Sequence, residues 1–182
     1  MERCNWATTT ELMKKYHDEE WGKPLHDDQA LFELLILETM QAGLSWSTIL
    51  AKRENYRKAL DGFNPEKISH YNQKKIEELL SNPGIIRNKL KVASIIKNAI
   101  AFLKVKQEYS SFDQYIWSFV EGEPIVNHFK NVEQLPAKTE LSTNLSKDMK
   151  KRGFSFVGPI TCYAFMEAAG LVNDHSDNCS FK

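Results

Sequence analysis

The 182-residue sequence lacks the features that mark several classes of protein. No run approaches the roughly 20 consecutive apolar residues that a transmembrane helix needs. Residues 1–6 lack the apolar run of a secretory signal peptide. Three cysteines, an odd number, exclude a framework in which every cysteine is paired within the chain. We therefore expect a cytoplasmic protein with no membrane partner.

An excess of either charge is also missing, because 24 lysine and arginine residues balance 24 aspartate and glutamate residues. Zero net charge argues against a protein that coats nucleic acid through bulk electrostatics. Local basic clusters are still present, at residues 52–53, 87–91 and 147–152. Each cluster is either a solvated helix face or part of a nucleic-acid surface, and composition does not decide between the two.

Hydrophobic residues make up 42% of the chain, which is enough for a core and excludes global disorder. The length fits a single domain, which we assign to residues 1–182. Apolar residues recur at helical spacing almost throughout, and no convincing strand pair is present. The sequence therefore predicts an all-α fold. Helices are expected at residues 29–40, 46–60, 66–80, 87–106, 112–120, 145–151 and 159–170, with a loop at 122–137.

Two cysteines and two histidines lie near the two ends of the chain, namely Cys4, His17, His175 and Cys179. Two thiolates and two imidazoles make a complete tetrahedral zinc site, with no position left for a catalytic water. The i, i+4 spacing of His175 and Cys179 would place both on one face of a helical turn. Spacing alone does not separate this site from ordinary histidines and exposed cysteines. The third cysteine, Cys162, is expected to be a small core residue.

One carboxylate, Glu38, interrupts the apolar segment 34–40. An ionised carboxylate there costs on the order of several kcal/mol unless a cation neutralises it. Two interpretations remain: a salt bridge to an arginine or an exposed helix edge, and an anion kept in an apolar pocket for a cationic ligand. The second is favoured by aromatic residues that would stack on a planar cation. These are Trp6, Tyr16, Trp21 and Trp46.

Residues 74–92 are predicted to form a helix, a tight turn at 82–86 and a second helix. Backbone N–H groups at such a turn, and at the start of the following helix, bind anions. Lys89 and Lys91 would add positive charge there. Because a helix–turn–helix with a glycine is common, the segment alone is weak evidence for DNA binding.

Eight distinctive strings are spread over almost the full length of the chain. They are M-E-R-C-x-W at 1–6, Y-H-D-x-E-W-G at 16–22, L-E-x-x-Q-A-G-L-S-W at 37–46, K-R-E-x-Y at 52–56, G-I-I-R at 84–87, W-S-F at 117–119, K-R-G-F-x-F-V-G at 151–158 and G-L-V-N-D-H at 170–175. In these strings the chain resembles the 3-methyladenine DNA glycosylase I family of the helix-hairpin-helix glycosylase superfamily. The hairpin has one glycine where the wider superfamily commonly has two, which puts the completeness of its anion site in doubt.

The resemblance implies a helix-hairpin-helix glycosylase fold in which zinc joins residues 1–26 and 159–182 into a terminal subdomain. The implied ligands of one structural Zn²⁺ per chain are Cys4, His17, His175 and Cys179. The implied base site consists of Glu38 as the catalytic residue and of Tyr16, Trp46, Trp6 and Trp21. The implied DNA contacts are the corner Gly43–Leu44, which enters the duplex gap, and the hairpin residues Gly84, Ile85, Arg87 and Lys89.

The resemblance also implies a monomeric enzyme that flips 3-methyladenine out of alkylated double-stranded DNA and hydrolyses its N-glycosidic bond. It would release the free base and leave an abasic site. A base methylated at N3 is cationic and leaves as a neutral molecule, so strong acid catalysis is unnecessary. Asp113 is a possible carboxylate base, but its setting favours a helix cap. The alternatives are a non-catalytic reader of alkylated DNA and a hydrolytic zinc enzyme.

Overall fold

The computed structural model of the chain describes residues 1–130 and 132–182. Within these ranges, the α-helices are α1 (Glu11–Glu19), α2 (Asp28–Gln41), α3 (Trp46–Ala59), α4 (Pro65–Ser69), α5 (Gln73–Ser81), α6 (Lys89–Tyr109), α7 (Phe112–Trp117), α8 (Glu140–Lys151) and α9 (Pro159–Ala168). Short 3-10 helices lie at Asn5–Thr8, Asp61–Phe63, Ser118–Val120 and Val132–Gln134. The predicted helical fold is confirmed. No helix in the described ranges combines the length and apolarity that crossing a bilayer requires.

Helix α2 forms the centre of the molecule. Asp27 caps its first turn by accepting a hydrogen bond from the Ala30 N–H (2.8 Å), as a short acidic side chain does at this position. Every residue from Leu31 to Met40 is buried, because α2 packs against α3, α6, α7 and α9. A helix that is apolar on all sides is stable only when enclosed in this way. The position of α2 therefore places Glu38 inside the protein.

Helix boundaries depart from the sequence prediction where a polar residue caps a new helix. The expected helix at 66–80 is two helices, α4 and α5, because the Asn72 side chain accepts from the Lys75 N–H and starts α5. Helix α8 begins five residues before its predicted start, because Thr139 and Ser142 form a capping box. Helix α1, capped by Thr10, was not predicted.

A small parallel strand pair, which was not predicted, joins Ile125–Val126 (β1) to Val172–Asn173 (β2). It brings the loop after α7 against the segment that follows α9. The C-terminal segment also reaches the N-terminus, where the Ser180 N–H donates to the Glu2 carbonyl (2.9 Å). The expected helical turn at 175–179 was wrong, because these residues lie in an irregular turn after β2.

Candidate active site

A cavity of about 290 Å³ opens between the terminal region and the ends of α2 and α9. Its volume is just below the range of roughly 300–1,000 Å³ that holds drug-sized ligands, which suits one planar base. It is lined by Trp6, Met13, Tyr16, Trp21, Glu38, Gln41, Trp46, Leu135, Ala164 and Glu167. The structure thus brings all five residues of the predicted base site together at one cavity.

Glu38 is the most distinctive group in this cavity. Its side chain is only 4% exposed, and burial raises the pKa of its carboxyl to about 8. No ion pair joins it to any residue among 1–130 and 132–182, so neither the salt bridge nor the exposed helix edge accounts for it. At neutral pH a carboxyl with this pKa is mostly protonated while the cavity is empty.

Two buried polar side-chain atoms of the described residues lack a hydrogen-bond partner, and both belong to this cavity. They are Glu38 Oε2 and Trp46 Nε1. An unsatisfied buried donor or acceptor costs about 1–3 kcal/mol, so native proteins hold few of them. A ligand with polar edges would supply hydrogen-bond partners for both atoms.

The four aromatic side chains form the walls of the cavity. Tyr16 and Trp46 lie with their ring centroids 5.2 Å apart, tilted by 50°. Trp6 and Trp21 meet edge to face at 4.9 Å. Burial is the main cause that raises the pKa of the Tyr16 hydroxyl well above its ordinary value, and the nearby Glu38 raises this pKa further. Tyr16 therefore stays neutral and can donate a hydrogen bond. The walls suit a flat ligand.

A second acidic residue of the cavity, Glu167 on α9, was missed by the sequence analysis. Burial raises the pKa of this carboxyl well above its ordinary value, and repulsion from Asp174 and Glu38 raises it further. The pattern that singled out Glu38 also applies here, since Glu167 is a lone carboxylate between the apolar residues 164–166 and 168–169.

The predicted metal ligands also meet, at a buried cluster behind the aromatic walls. The four ligand atoms of Cys4, His17, His175 and Cys179 lie within 4.8 Å of one another. Cys179 Sγ is 3.3 Å from His175 Nδ1 and 3.5 Å from His17 Nε2, and Cys4 Sγ is 3.7 Å from His175 Nδ1. Tetrahedral zinc bonds of about 2.0–2.3 Å place neighbouring ligands at about these separations. The donor set therefore fits a tetrahedral metal ion.

Both histidines are oriented by the ring nitrogen that faces away from the cluster. His17 Nδ1 lies 2.8 Å from the Asp18 carboxylate, which a bidentate Arg3 holds in place. His175 Nε2 lies 3.0 Å from the Trp21 carbonyl oxygen. Such partners fix the tautomer of a ligating imidazole. Gly22 leaves room for this packing, since a Cβ there would lie 3.0 Å from the His175 ring.

At the mouth of the cavity, the chain turns sharply between α2 and α3. Gly43 adopts a left-handed conformation (φ +77°), which glycine adopts without steric cost. Ser45 then caps α3 by accepting from the Thr48 N–H. Leu44, at the corner, is 40% exposed. This exposure shows that Leu44 is not part of the core.

The predicted hairpin is present as α5, a turn and α6. Three of the turn's backbone donors are used within the protein. The Gly84 N–H donates to Asn82 Oδ1 (2.8 Å), the Ile85 N–H to the Asn82 carbonyl (3.4 Å) and the Ile86 N–H to the Tyr56 hydroxyl (3.1 Å). Ile85 is buried, whereas Arg87 and Lys89 are exposed. Neither cation forms an ion pair among the residues that the structure describes, and both lie near the start of α6.

Two sequence expectations need correction. Lys91 does not add to the exposed basic surface, because its side chain is buried and donates to backbone carbonyls of α2. Asp113 lies away from the cavity, where its carboxylate binds His26 (2.8 Å). Ser111, not Asp113, is the residue that caps α7.

A buried carboxyl group and four aromatic side chains around a base-sized cavity, within a mostly helical fold, define a class of protein that encloses a single planar base. The model of the methyladenine glycosylase family matches residues 6–182. The chain belongs to this family.

Full-length relatives agree with this assignment. The chain is 48% identical over 180 residues to the DNA-3-methyladenine glycosylase of Haemophilus influenzae, covering 99% of this chain and 97% of that protein. It is 46% identical over 179 residues to DNA-3-methyladenine glycosylase 1 of Escherichia coli, with coverage of 98% and 96%. Its fold matches 3-methyladenine DNA glycosylase I of Staphylococcus aureus, solved to explain 3-methyladenine recognition. That match has a TM-score of 0.96 and 40% identity over 100% of this chain and 97% of the other.

Proposed function

We propose that this protein excises 3-methyladenine from alkylated double-stranded DNA by hydrolysing the N-glycosidic bond, and leaves an abasic site. The observation that carries the proposal is the unpartnered carboxyl of Glu38 in an aromatic cavity of base size. The relatives of H. influenzae and E. coli are DNA-3-methyladenine glycosylases, and the S. aureus relative recognises 3-methyladenine. These relatives support the identity of the base.

The charge of the base explains how the cavity selects it. The target base must leave the duplex stack to enter the cavity, at an unstacking cost of a few kcal/mol, roughly. A cationic base beside Glu38 favours the ionised carboxylate and so lowers its pKa from about 8. Normal adenine is neutral and gives no such compensation. The Trp46 and Tyr16 rings stack on either purine, so the carboxylate supplies the discrimination.

Bond cleavage then needs little help from an acid. The C1′–N9 bond breaks with its electron pair passing to the cationic base, which leaves as neutral 3-methyladenine. Positive charge develops on the sugar, water forms the new bond to C1′, and its proton passes to solvent. We assign Glu38 as the catalytic residue, because its anion draws the cationic base into the cavity and then stabilises the sugar cation that develops as the bond breaks. No lysine nucleophile is assigned, so strand cleavage is not expected.

We also propose that the cluster of Cys4, His17, His175 and Cys179 holds one structural Zn²⁺ per chain. Two thiolates neutralise the charge of the ion, which suits the buried position of the cluster. Four protein donors leave no place for a hydrolytic water, which disfavours the alternative of a zinc hydrolase. The bound ion would join residues 1–26 to residues 159–182 and hold Trp6 and Trp21 at the cavity.

Metal analysis of protein purified without chelator tests this assignment. We expect one zinc per chain, and we expect Cys179→Ser to lower Tm while the folded fraction retains its excision rate. Protein that contains no zinc and has normal stability would overturn the assignment.

DNA contacts are proposed at two places. The corner Gly43–Leu44 would fill the gap left by the extruded base, and Arg87 and Lys89, beside Gly84 and Ile85, would bind backbone phosphates. We expect a monomer to suffice, because one chain supplies the whole cavity.

Release of free base is the experiment that tests the function. The protein is incubated with duplex DNA methylated at the N3 position of adenine, and free 3-methyladenine is measured by chromatography. We expect stoichiometric release under single-turnover conditions and no strand break without alkali. Tight binding to the methylated duplex without release would instead support a non-catalytic reader.

A further inference from the structure

Lys91 occupies an unusual position for a lysine. It lies in the first turn of α6, its side chain is only 7% exposed, and its Nζ donates to the carbonyls of Met40 (2.8 Å) and Ala42 (2.6 Å). Lysine is almost never buried unless it is paired. No carboxylate pairs with it in the parts of the chain that the structure describes. Its partners are instead backbone oxygens at one end of α2.

These oxygens belong to the point where α2 ends. The last carbonyls of a helix have no partner within the helix, and a cation placed there also interacts favourably with the helix dipole. Ala42 is not helical (φ −44°, ψ 116°) and Gly43 after it is left-handed (φ +77°), so the chain leaves α2 through a tight turn in which the Leu44 N–H donates to the Gln41 carbonyl (2.6 Å). Lys91 binds the carbonyls of Met40 and Ala42 beside this turn and so tethers the turn to a different helix, α6.

The two elements joined by Lys91 are those at which DNA contacts are proposed. On one side, α6 follows the hairpin directly, and the exposed Arg87 and Lys89 lie within four residues of Lys91. On the other side, Ala42 precedes the corner Gly43–Leu44 and lies one helical turn after Glu38. We propose that Lys91 is a positioning residue that locks this corner to the hairpin, so that phosphate binding sets the position of Leu44 at the cavity mouth.

Two other roles for Lys91 are disfavoured by the same contacts. A phosphate contact would need an exposed amine, and this amine is enclosed. A counter-ion to Glu38 would need an ion pair, and no pair with Glu38 exists among the described residues. The proposal rests on the proposed function, because it concerns how the DNA-bound enzyme presents its cavity.

Lys91→Met tests the proposal, because methionine retains the unbranched shape and removes the donors and charge. Single-turnover excision is measured on duplex and on single-stranded DNA of the same sequence, together with hydrogen exchange at the amides of residues 43–45. We expect duplex excision to fall about tenfold and single-strand excision less than about threefold, since a single strand has little stack to open. The amides at the corner should exchange faster, and Lys91→Arg should restore part of the duplex rate.

Lys104→Met is the matched control. Lys104 is exposed on the same helix, about 20 Å further along its axis, and both excision rates and the exchange pattern should stay unchanged. Equal losses on the two substrates, or unchanged exchange at 43–45, would overturn the positioning role. If Lys91→Met precipitates, Lys91→Gln takes its place, and unfolding of both variants would assign Lys91 to global stability instead. A wild-type protein without excision activity would refute the proposed function, whereas the exchange measurement would still decide the role of Lys91.

Discussion

Helix α2 carries two buried glutamates five residues apart, and their surroundings are opposite. Glu33 is held by Arg53 (Nε–Oε1 2.5 Å) and by Arg57 (Nη2–Oε1 2.7 Å), both from α3. Glu38 has no charged partner among the described residues, and one of its oxygens has no hydrogen bond. The Glu33 carboxylate therefore finds its charge partners within the protein, whereas a buried oxygen of Glu38 is left for a ligand to bind.

The difference follows from the faces of the helix. Arg53 and Arg57 are spaced i, i+4, so both side chains point from one face of α3 toward Glu33. Arg53 also binds Glu20 (2.7 Å), which adds a third element to the network. Five residues further along α2, Glu38 faces aromatic rings instead. Breaking a fully paired buried carboxyl is costly because its partners lose their counter-charge, whereas an unpaired buried carboxyl is a candidate for ligand binding.

The largest effect is expected from breaking the paired Glu33 site. Glu33→Gln removes the buried carboxylate shared by Arg53 and Arg57 and leaves Arg53, which is 13% exposed, with only the more exposed Glu20 as a counter-charge. Removing one partner of a buried ion pair destabilises a protein by about 3–5 kcal/mol. Chemical denaturation should show this loss, while excision per folded molecule stays within about twofold of wild type. A large loss of excision with normal stability would mean that Glu33 belongs to the active site.

The unpaired Glu38 site should respond in the opposite way. Glu38→Gln keeps the shape and removes the charge, and charge-assisted hydrogen bonds contribute about 1.5–3 kcal/mol, so excision should fall roughly ten- to a hundredfold or more. Tm should be unchanged or higher, because a buried ionisable group is removed. Tm and single-turnover excision are measured on the same preparation. A clear drop in Tm with normal excision would contradict the role of Glu38.

The raised pKa of Glu38 also predicts a pH dependence of stability. Between the ordinary carboxyl pKa of 4.5 and about 8, the folded protein retains a proton that the unfolded chain has lost. Stability therefore decreases as pH rises through this window, by about 1.4 kcal/mol per unit for one proton. Glu38→Gln removes this contribution, whereas the contribution of the neighbouring Glu167 largely remains in both proteins.

Denaturation of wild type and Glu38→Gln at pH 5, 6, 7 and 8 measures the difference. We expect the variant to gain stability relative to wild type at each step. Parallel curves would mean that the Glu38 carboxyl titrates near its ordinary pKa.

The smallest effect on excision is expected at Leu44, and Leu37, at the other end of the segment 37–44, is its buried counterpart. Leu37 is fully buried, whereas Leu44 is 40% exposed. Leu37→Ala should cost about 2–5 kcal/mol of stability. Leu44→Ala should cost little stability but slow duplex excision by roughly threefold or more, with a smaller effect on single strands. Equal slowing on both substrates would refute a wedge role for Leu44.

The predictions made from the sequence were most successful where the chemistry of one residue type was decisive. A lone carboxylate in the apolar segment 34–40 singled out Glu38, which the structure buries without an ion pair among the described residues, and the two cysteines and two histidines do lie together. The roles of these residues stay predictions. Helical periodicity located α2, α3, α6 and α9. Each of these rests on local pattern or on the chemistry of the side chains alone.

Other features depended on contacts between elements that lie far apart in the chain. Lys91 and Lys89 are equally basic in the sequence, but one is enclosed by the end of α2 and the other is exposed. Glu33 and Glu38 both interrupt apolar sequence, and only the packing of α3 supplies arginines to one of them. The division of the predicted helix 66–80 into α4 and α5 was missed, because the apolar periodicity continues past Asn72 although the Asn72 side chain caps a new helix there.

The sequence by itself therefore determined the helical class and which side chains are candidates for the chemistry, since periodicity and donor type are local properties. Tertiary structure decided which of these side chains are satisfied within the protein. That outcome is set by which helix faces meet, and the free energy of a buried charge depends on the partner that packing brings within a few ångströms.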